Sequence, residues 1–349
     1  MKKLFIIFAI LCLAAPAMAA DWNFYGSARF TTFYVDKDPD MPGIDSDDDL
    51  QWEPQSNSRI GATVKFNDEI GGAFEMGDDM NKRKLYGTYN FGGGQLLIGQ
   101  TYTPVNILAS NSVFDDDGGL LGIGEFYEGR LPMIQLKFGG LKVALIEPST
   151  KIGYDDIDTS TDIDTTIPKI EVAYKYSADL FWVKAFAGYN TFTDEVVGGN
   201  DLDYDSYVAG AGGGMTFGSI FVNLGVHMGQ NLGNYGAYQS GYGTEYEFHD
   251  QAAIVGGELK DNDGLGYMAV VGFNASEMFI IEAGYGHEEA EVDDSNNTEE
   301  KEQYYLNCTI NITKGFFIVP ELGMITASDD LSSSEPEVFY WGAKWQINF

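Results

Sequence analysis

Between residues 103 and 130 lies the densest group of residues able to do chemistry: Asp115-Asp116-Asp117, a run from Gly118 to Gly124 holding four glycines, then Glu125 and Glu128. Bases recur in the segments before it, at Arg29, Arg59, Lys65 and Lys84. Acids on one segment facing bases on another create a transverse electric field. Water and polar solutes align in such a field, whereas apolar solutes must give up hydration, and patches of charge of this kind set ion preference. The glycines let the acidic backbone turn tightly in a confined space. No reaction centre accompanies this group. His227, His249 and His287 are the only histidines, far apart and without zinc spacing. No G-x-S-x-G element, Walker loop or dinucleotide fingerprint precedes a helix. No catalytic residue, cofactor or dedicated metal centre is therefore expected.

Such a field needs a scaffold that holds both charge sets around one space, and the rest of the chain supplies one by alternation. Successive strand side chains point to opposite faces. Segments near 22–35, 57–66, 71–78, 84–91, 95–102, 131–138, 141–148 and 168–176 alternate in this way. So do segments near 180–190, 204–217, 219–230, 264–273, 278–288, 301–312, 316–327 and 337–349, which makes sixteen. Short connections (67–70, 92–94, 139–140, 177–179, 218, 274–277 and 313–315) alternate with long polar ones such as 36–56, 103–130, 147–167, 230–263 and 289–300. That rhythm predicts an all-β, sixteen-stranded antiparallel transmembrane barrel, closed so that no strand edge is left in lipid. A pair of soluble β-sandwiches is the alternative.

One face is apolar, including Trp22, Phe24, Phe30, Ile60, Val64, Ile220, Val222, Leu224 and Leu322. The opposite face carries the four bases with Gln135, Lys137, Lys169, Glu171, Lys175, Asn223, His227, Glu282, Asn307 and Glu321. Charges at those positions are costly in lipid and cheap in a water-filled lumen. The last segment, V-F-Y-W-G-A-K-W-Q-I-N-F, sets Phe339, Trp341, Trp345, Ile347 and Phe349 on its lipid face.

Residues 1–20 read as a cleaved signal peptide: Lys2 and Lys3, the apolar stretch Leu4 to Leu13, and Ala17-Met18-Ala19 for cleavage. Residues 21–349 then form the barrel domain. The whole chain carries a formal charge of −33, and loss of Lys2 and Lys3 takes it to −35. That balance excludes nucleic acid as a partner, while 14% aromatic residues and 43 glycines exclude a disordered chain. Cys308 alone remains after cleavage, so no internal disulfide forms. The first long connection holds Asp36, Asp38, Asp40, Asp45, Asp47, Asp48 and Asp49, but Met41 stands where an EF-hand needs glycine. Loosely bound calcium or magnesium, bridging acidic external loops to lipopolysaccharide, is expected there instead.

The layout resembles the general diffusion porins of Gram-negative outer membranes across the whole stretch after residue 20. The most specific local likeness is G-G-G-Q-L-L-I-G-Q-T-Y-T-P-V, Gly92 to Val105. It is similar to the family's turn and fifth strand, which run into a constriction loop. The family's Pro-Glu-Phe-Gly type of loop tip is not reproduced. The resemblance implies that residues 103–130 fold into the barrel, that Asp115, Asp116, Asp117, Glu125 and Glu128 face Arg29, Arg59, Lys65 and Lys84, and that the chain forms a homotrimer. It also implies that the barrel assembly machinery reads Trp345 and Phe349. Gly26 and Ala28 are small enough to admit a neighbouring barrel. The expected function is passive diffusion of small hydrophilic solutes and ions, with mild cation preference from the charge of −35. A substrate-specific channel and an adhesion or structural barrel are the alternatives.

Overall fold

The computed structural model describes residues 20–37, 49–151, 160–196, 201–236, 250–255, 258–295, 297–329 and 337–349. Residues 1–19 of the expected signal peptide, Asp38, Asp40, Asp45, Asp47, Asp48 and His249 lie outside the described residues. The rest is one antiparallel barrel of sixteen staves. In chain order they are β1 (Asp21–Lys37), β2 (Asp49–Pro54 with Arg59–Lys65), β3 (Ile70–Met76), β4 (Lys82–Asn90) and β5 (Gln95–Tyr102). β6 (Arg130–Phe138), β7 (Leu141–Ile146), β8 (Ser160–Asp164 with Lys169–Ser177), β9 (Phe181–Val196), β10 (Leu202–Phe217) and β11 (Ile220–Gln230) follow. The circuit ends with β12 (Asn262–Asn274), β13 (Phe279–Val292), β14 (Thr298–Thr313), β15 (Phe316–Asp329) and β16 (Glu337–Asn348). A small hairpin, Ala253–Val255 with Glu258–Lys260, stands apart in the β11–β12 connection. Among the described residues no helix is long and apolar enough to cross a membrane.

Closure is made by β1, which pairs with β2 on one side and with β16 from Ser27↔Asn348 to Lys37↔Val338 on the other. Phe349 continues that seam: its N–H donates to Gly26 O at 3.0 Å and its carbonyl accepts from Gly26 N–H at 2.8 Å. The Phe349 ring lies over Gly26, where an added Cβ would come within 2.5 Å of it. Gly26 therefore serves the closing seam, while Ala28 beside it is exposed.

Three segments depart from the sequence reading. Residues 49–54, expected in the first long loop, extend β2 along β1 as Phe30↔Pro54 through Val35↔Asp49. Acidic residues and a proline hide the alternation of Leu50 and Trp52, both exposed to the outside. Residues 160–164 likewise extend β8 along β9. Residues 289–300, expected as a loop, are mostly ladder: Glu289↔Glu300 and Glu291↔Thr298 pair across β13 and β14.

The apolar band is where alternation puts it, with Phe24, Ile60, Leu224, Val226, Leu322, Trp341 and Ile347 exposed on the outer surface. The inner face carries Glu171, His227, Glu282, Asn307 and Glu321, which are buried. They are buried because residues 103–129 fill part of the lumen.

Candidate functional site

The loop between β5 and β6 lies against the inner wall of the barrel and is anchored by both apolar packing and carboxylates. Val105, Ile107 and Phe126 pack with Ala173, Phe186, Val208 and Tyr235 on one side. Val113, Phe114 and Ile123 pack with Phe33, Val319, Val338 and Tyr340 on the other. Phe114 stacks on Tyr340 with centroids 3.8 Å apart and planes 6° from parallel. Each fully buried side chain of this size contributes about 1.5–3 kcal/mol.

Wall glutamates receive the loop backbone one after another. Glu171 accepts Val105 N–H at 3.2 Å, and Glu282 accepts both Asn111 N–H and Asn111 Nδ2 at 2.6 Å. Glu321 accepts Ser112 Oγ at 2.7 Å, Val113 N–H at 2.8 Å and Phe114 N–H at 3.2 Å. On the return leg Glu288 accepts Gly124 N–H at 2.9 Å and holds His227 Nε2 at 2.8 Å. Hydrogen bonds to charged acceptors are about twice as strong as neutral ones. They satisfy loop N–H groups that would otherwise be buried unpaired. The close approach needs glycine: a Cβ on Gly124 (φ +92°) would meet Tyr267 O at 2.2 Å, and one on Gly286 would meet Ile123 O at 1.9 Å.

On the opposite side the loop faces the basic wall across a cavity of about 450 Å³, lined by Asp115, Asp116, Asp117, Tyr127 and Arg130 against Arg29, Arg59, Arg83 and Tyr102. The three aspartates all have left-handed backbone, with φ of 48°, 56° and 61°, a conformation that aspartate tolerates better than most residues. Asp117 is held between Arg29 and Lys344, the latter at 2.7 Å. Asp116 accepts Ser56 N–H at 3.1 Å, and Asn57 donates to its carbonyl.

The sequence-derived acids thus divide. Asp115, Asp116 and Asp117 line the cavity together with Arg29 and Arg59. Glu125 adjoins the cavity but turns its carboxylate into the loop, accepting the N–H groups of Ala109 and Ser110 and tying the outgoing leg to the return leg. Burial raises its pKa from 4.5 to about 7 against those hydrogen bonds. Glu128 is buried in an ion pair with Lys169, whose ammonium also donates to Asn234 O at 2.8 Å.

The bases divide too. Arg29 and Arg59 line the first cavity, and Lys84 stands behind it, over the Tyr102 ring and 3.0 Å from Glu75. Lys65 does not: it is 61% exposed at the β2–β3 turn, 2.7 Å from Asp68. Three members of the site escaped the sequence reading. Glu75 gathers Arg83 at 2.9 Å, Lys84 at 3.0 Å, Arg59 at 3.7 Å and the Tyr25 hydroxyl at 2.9 Å. Arg83 was missed because strict alternation assigns Lys84 and its neighbour to opposite faces. A register shift between Glu75 and Met76 breaks that alternation and lets both reach Glu75. Arg130 was read as a loop end; it lies 5.2 Å from the Tyr102 ring centroid and donates to the Tyr102 hydroxyl at 3.2 Å.

A second cavity, of about 520 Å³, meets the first at Tyr102, Leu108 and Ser110 and opens towards the short-turn rim. Lys142, Lys175 and Lys184 line it with Trp182 and Asn223. Lys175 lies 4.8 Å from the Trp182 ring centroid, and Lys184 donates to Asn106 O.

A family model described as "Gram-negative porin" matches residues 7–330. No curated protein matches the chain in sequence. Solved structures of the same architecture include the outer membrane channel DcaP of Acinetobacter baumannii, 14% identical, with a TM-score of 0.74 over 95% of this chain and 98% of that one. An anion-selective porin from Comamonas acidovorans is 15% identical, with a TM-score of 0.61 over 94% of this chain and 100% of that one. In vitro folded OmpT of Vibrio cholerae is 15% identical, with a TM-score of 0.59 over 94% and 98%. At these identities the likeness is one of fold.

Proposed function

We infer the function from one premise: this chain belongs to the Gram-negative porin family. It is an outer-membrane β-barrel channel. We propose that it passes small hydrophilic solutes passively down their gradients through the gap between the loop and the basic wall. The observation that carries this is the pair of polar cavities meeting at Tyr102, Leu108 and Ser110. The work asked of the protein is a hole, a size limit and a charge pattern, with no covalent step.

The charge pattern supports anion preference rather than the mild cation preference expected from −35. The first cavity is lined by four arginines (Arg29, Arg59, Arg83 and Arg130) and four acids (Asp115, Asp116, Asp117 and Glu125), of which Glu125 turns its carboxylate into the loop; behind this lining stand two further bases, Lys84 and Lys344, and one further acid, Glu75. Charges on external loops act weakly on an ion at this depth, because salt at 0.1 M screens exposed charges beyond about 10 Å. The three lysines of the second cavity continue the same sign. The anion selectivity of the Comamonas acidovorans porin is in keeping with this reading.

Planar-bilayer recording tests it. Conductance that rises in proportion to salt, with a reversal potential favouring chloride across a KCl gradient, is the expected result. Electrical silence would instead favour an adhesion or structural barrel, and preferred potassium would restore the reading from net charge. A substrate-specific channel is the second reading, favoured by the lysine and tryptophan grouping at Lys175 and Trp182; saturation of the current by one solute would establish it. We propose also that the chain assembles as a homotrimer. Trp345 and Phe349, both exposed, are the residues offered to the barrel assembly machinery. The lipid band meets lipopolysaccharide with loosely bridging calcium or magnesium at the acidic external loops.

A further inference from the structure

Three carboxylates and a histidine that play no part in the lumen come together on the outside of the barrel. On β13 and β14 the lumen-facing residues include Glu288 and Asn307, so His287, Glu289, Glu300 and Glu302 project from the opposite face. In the ladder His287 stands opposite Glu302 and Glu289 opposite Glu300. Both pairs lie near the ends of their strands that adjoin the connection at 293–297, on the rim of the long loops. Sequence alone hid the grouping, because residues 289–300 read as loop and the histidines lack metal-binding spacing.

Like charges directly opposite one another weaken a ladder, and a cation bound between them relieves that repulsion. Here one potential ligand atom from each of His287, Glu289 and Glu300 lies within 4.8 Å of the others. His287 is only 7% exposed. Its Nε2 faces Glu289 Oε2 at 3.6 Å, too far for a good hydrogen bond. Two donors each about 2.1 Å from one tetrahedral ion are about 3.4 Å apart, so this spacing suits a shared cation. The imidazole is also fixed in place. Tyr267 stacks on it with centroids 4.8 Å apart and planes 26° from parallel. Its Nδ1 faces Glu302 Oε1 at 3.5 Å, and Glu302 is itself held by Tyr285 at 2.7 Å and Tyr304 at 2.8 Å. A carboxylate behind the histidine is the usual partner that orients a metal-binding imidazole.

We propose that His287 Nε2, Glu289 and Glu300 bind a zinc-class divalent cation on the outer wall, with Glu302 positioning the histidine. Imidazole with two carboxylates suits zinc and its neighbours, whereas calcium and magnesium take all-oxygen sets. The ion neutralises the opposed glutamates, clasps β13 to β14 beside their short connection, and keeps one position open to water. It is distinct from the loose calcium or magnesium of the acidic loops.

The test uses the full barrel in detergent, stripped with EDTA and titrated with ZnCl₂ by calorimetry. One zinc per chain is expected, with affinity reduced at least about 10-fold in Glu289→Gln and in His287→Ala, and Glu291→Gln unchanged. Cobalt loaded in place of zinc should give visible absorption bands that Glu289→Gln weakens. Glu289→Gln keeps the experiment decisive should His287→Ala fail to fold. Absence of zinc uptake, zinc affinity indifferent to both substitutions, or displacement of zinc by equimolar calcium would overturn the proposal.

Discussion

The two halves of the lumen wall use charge in opposite ways. From β8 to β15, Glu171, Glu282, Glu288 and Glu321 are buried, and each accepts loop N–H groups. From β1 to β6, Arg29, Arg59, Arg83 and Arg130 line an open cavity. The acidic half holds the loop, and the basic half lines the cavity through which solute passes in the function proposed above. An acidic residue count therefore says little about the charge at the cavity, because Glu171, Glu282, Glu288 and Glu321 are occupied by loop backbone. A chain with formal charge −33 can thus set four arginines around one cavity.

The sharpest way to break this contrast is to remove an anchor. Glu321→Ala strips the acceptor from Ser112, Val113 and Phe114 at once. Each buried donor left without a partner costs about 1–3 kcal/mol, so the loop should leave the wall near β15. The expected outcome is a rise in single-channel conductance, with added current noise, while the barrel itself stays folded. Glu321→Gln keeps one acceptor and should show a smaller rise. Unchanged conductance in Glu321→Ala would mean that the loop does not set the passage.

Next in size is the basic half. Arg59→Ala, Arg83→Ala and Arg130→Ala together should lower the chloride-to-potassium permeability ratio several-fold, read from reversal potentials, with little change in thermal stability. If the ratio holds, selectivity resides elsewhere, with the lysines around Trp182 next to be tested.

Why the basic half was partly legible and the acidic half was not follows from distance along the chain. Arg29 and Arg59 lie in alternating segments where parity alone points them inward. Arg83 lies beside a register shift that parity cannot foresee. The anchors join residues far apart in sequence: Asn111 to Glu282, Ser112 to Glu321 and Asp117 to Lys344 are separated by 171, 209 and 227 positions. Such pairings exist only once the barrel has closed, so Glu282 and Glu321 could be placed on the lumen face but not given a partner. The sixteen staves were legible because a period of two is local. The ends of β2, β8, β13 and β14 were not, because acidic residues in a ladder above the lipid look like loop.

Within the cavity, the aspartates should differ. Asp117 lies between Arg29 and Lys344, so Asp117→Asn releases two cations at once. Asp115→Asn removes a carboxylate without disturbing either of those cations. The permeability ratio should move further towards chloride in Asp117→Asn than in Asp115→Asn. Equal shifts would show that the ion pairs do not mute Asp117.

The smallest effect concerns Glu125, a carboxylate that belongs to the acidic pattern of the loop yet acts as an anchor. Its pKa in the folded chain is about 7 against 4.5, because burial disfavours the ionised form. The folded state therefore holds a proton between those values that the unfolded chain has lost. Stability falls wherever the folded state binds more protons and pH rises. The loop should accordingly be held best below pH 4.5, lose stabilisation as pH climbs from 4.5 to 7, and change no further on this account above 7. Current noise should rise over the same window. Glu125→Gln replaces the carboxyl with a neutral amide that still offers one acceptor oxygen to Ala109 and Ser110, and should flatten that dependence while leaving ion selectivity near the parent value. A shift in selectivity comparable to that of Asp117→Asn would instead place Glu125 among the residues that meet the solute, and the division between anchoring and solute-facing acids would have to be redrawn.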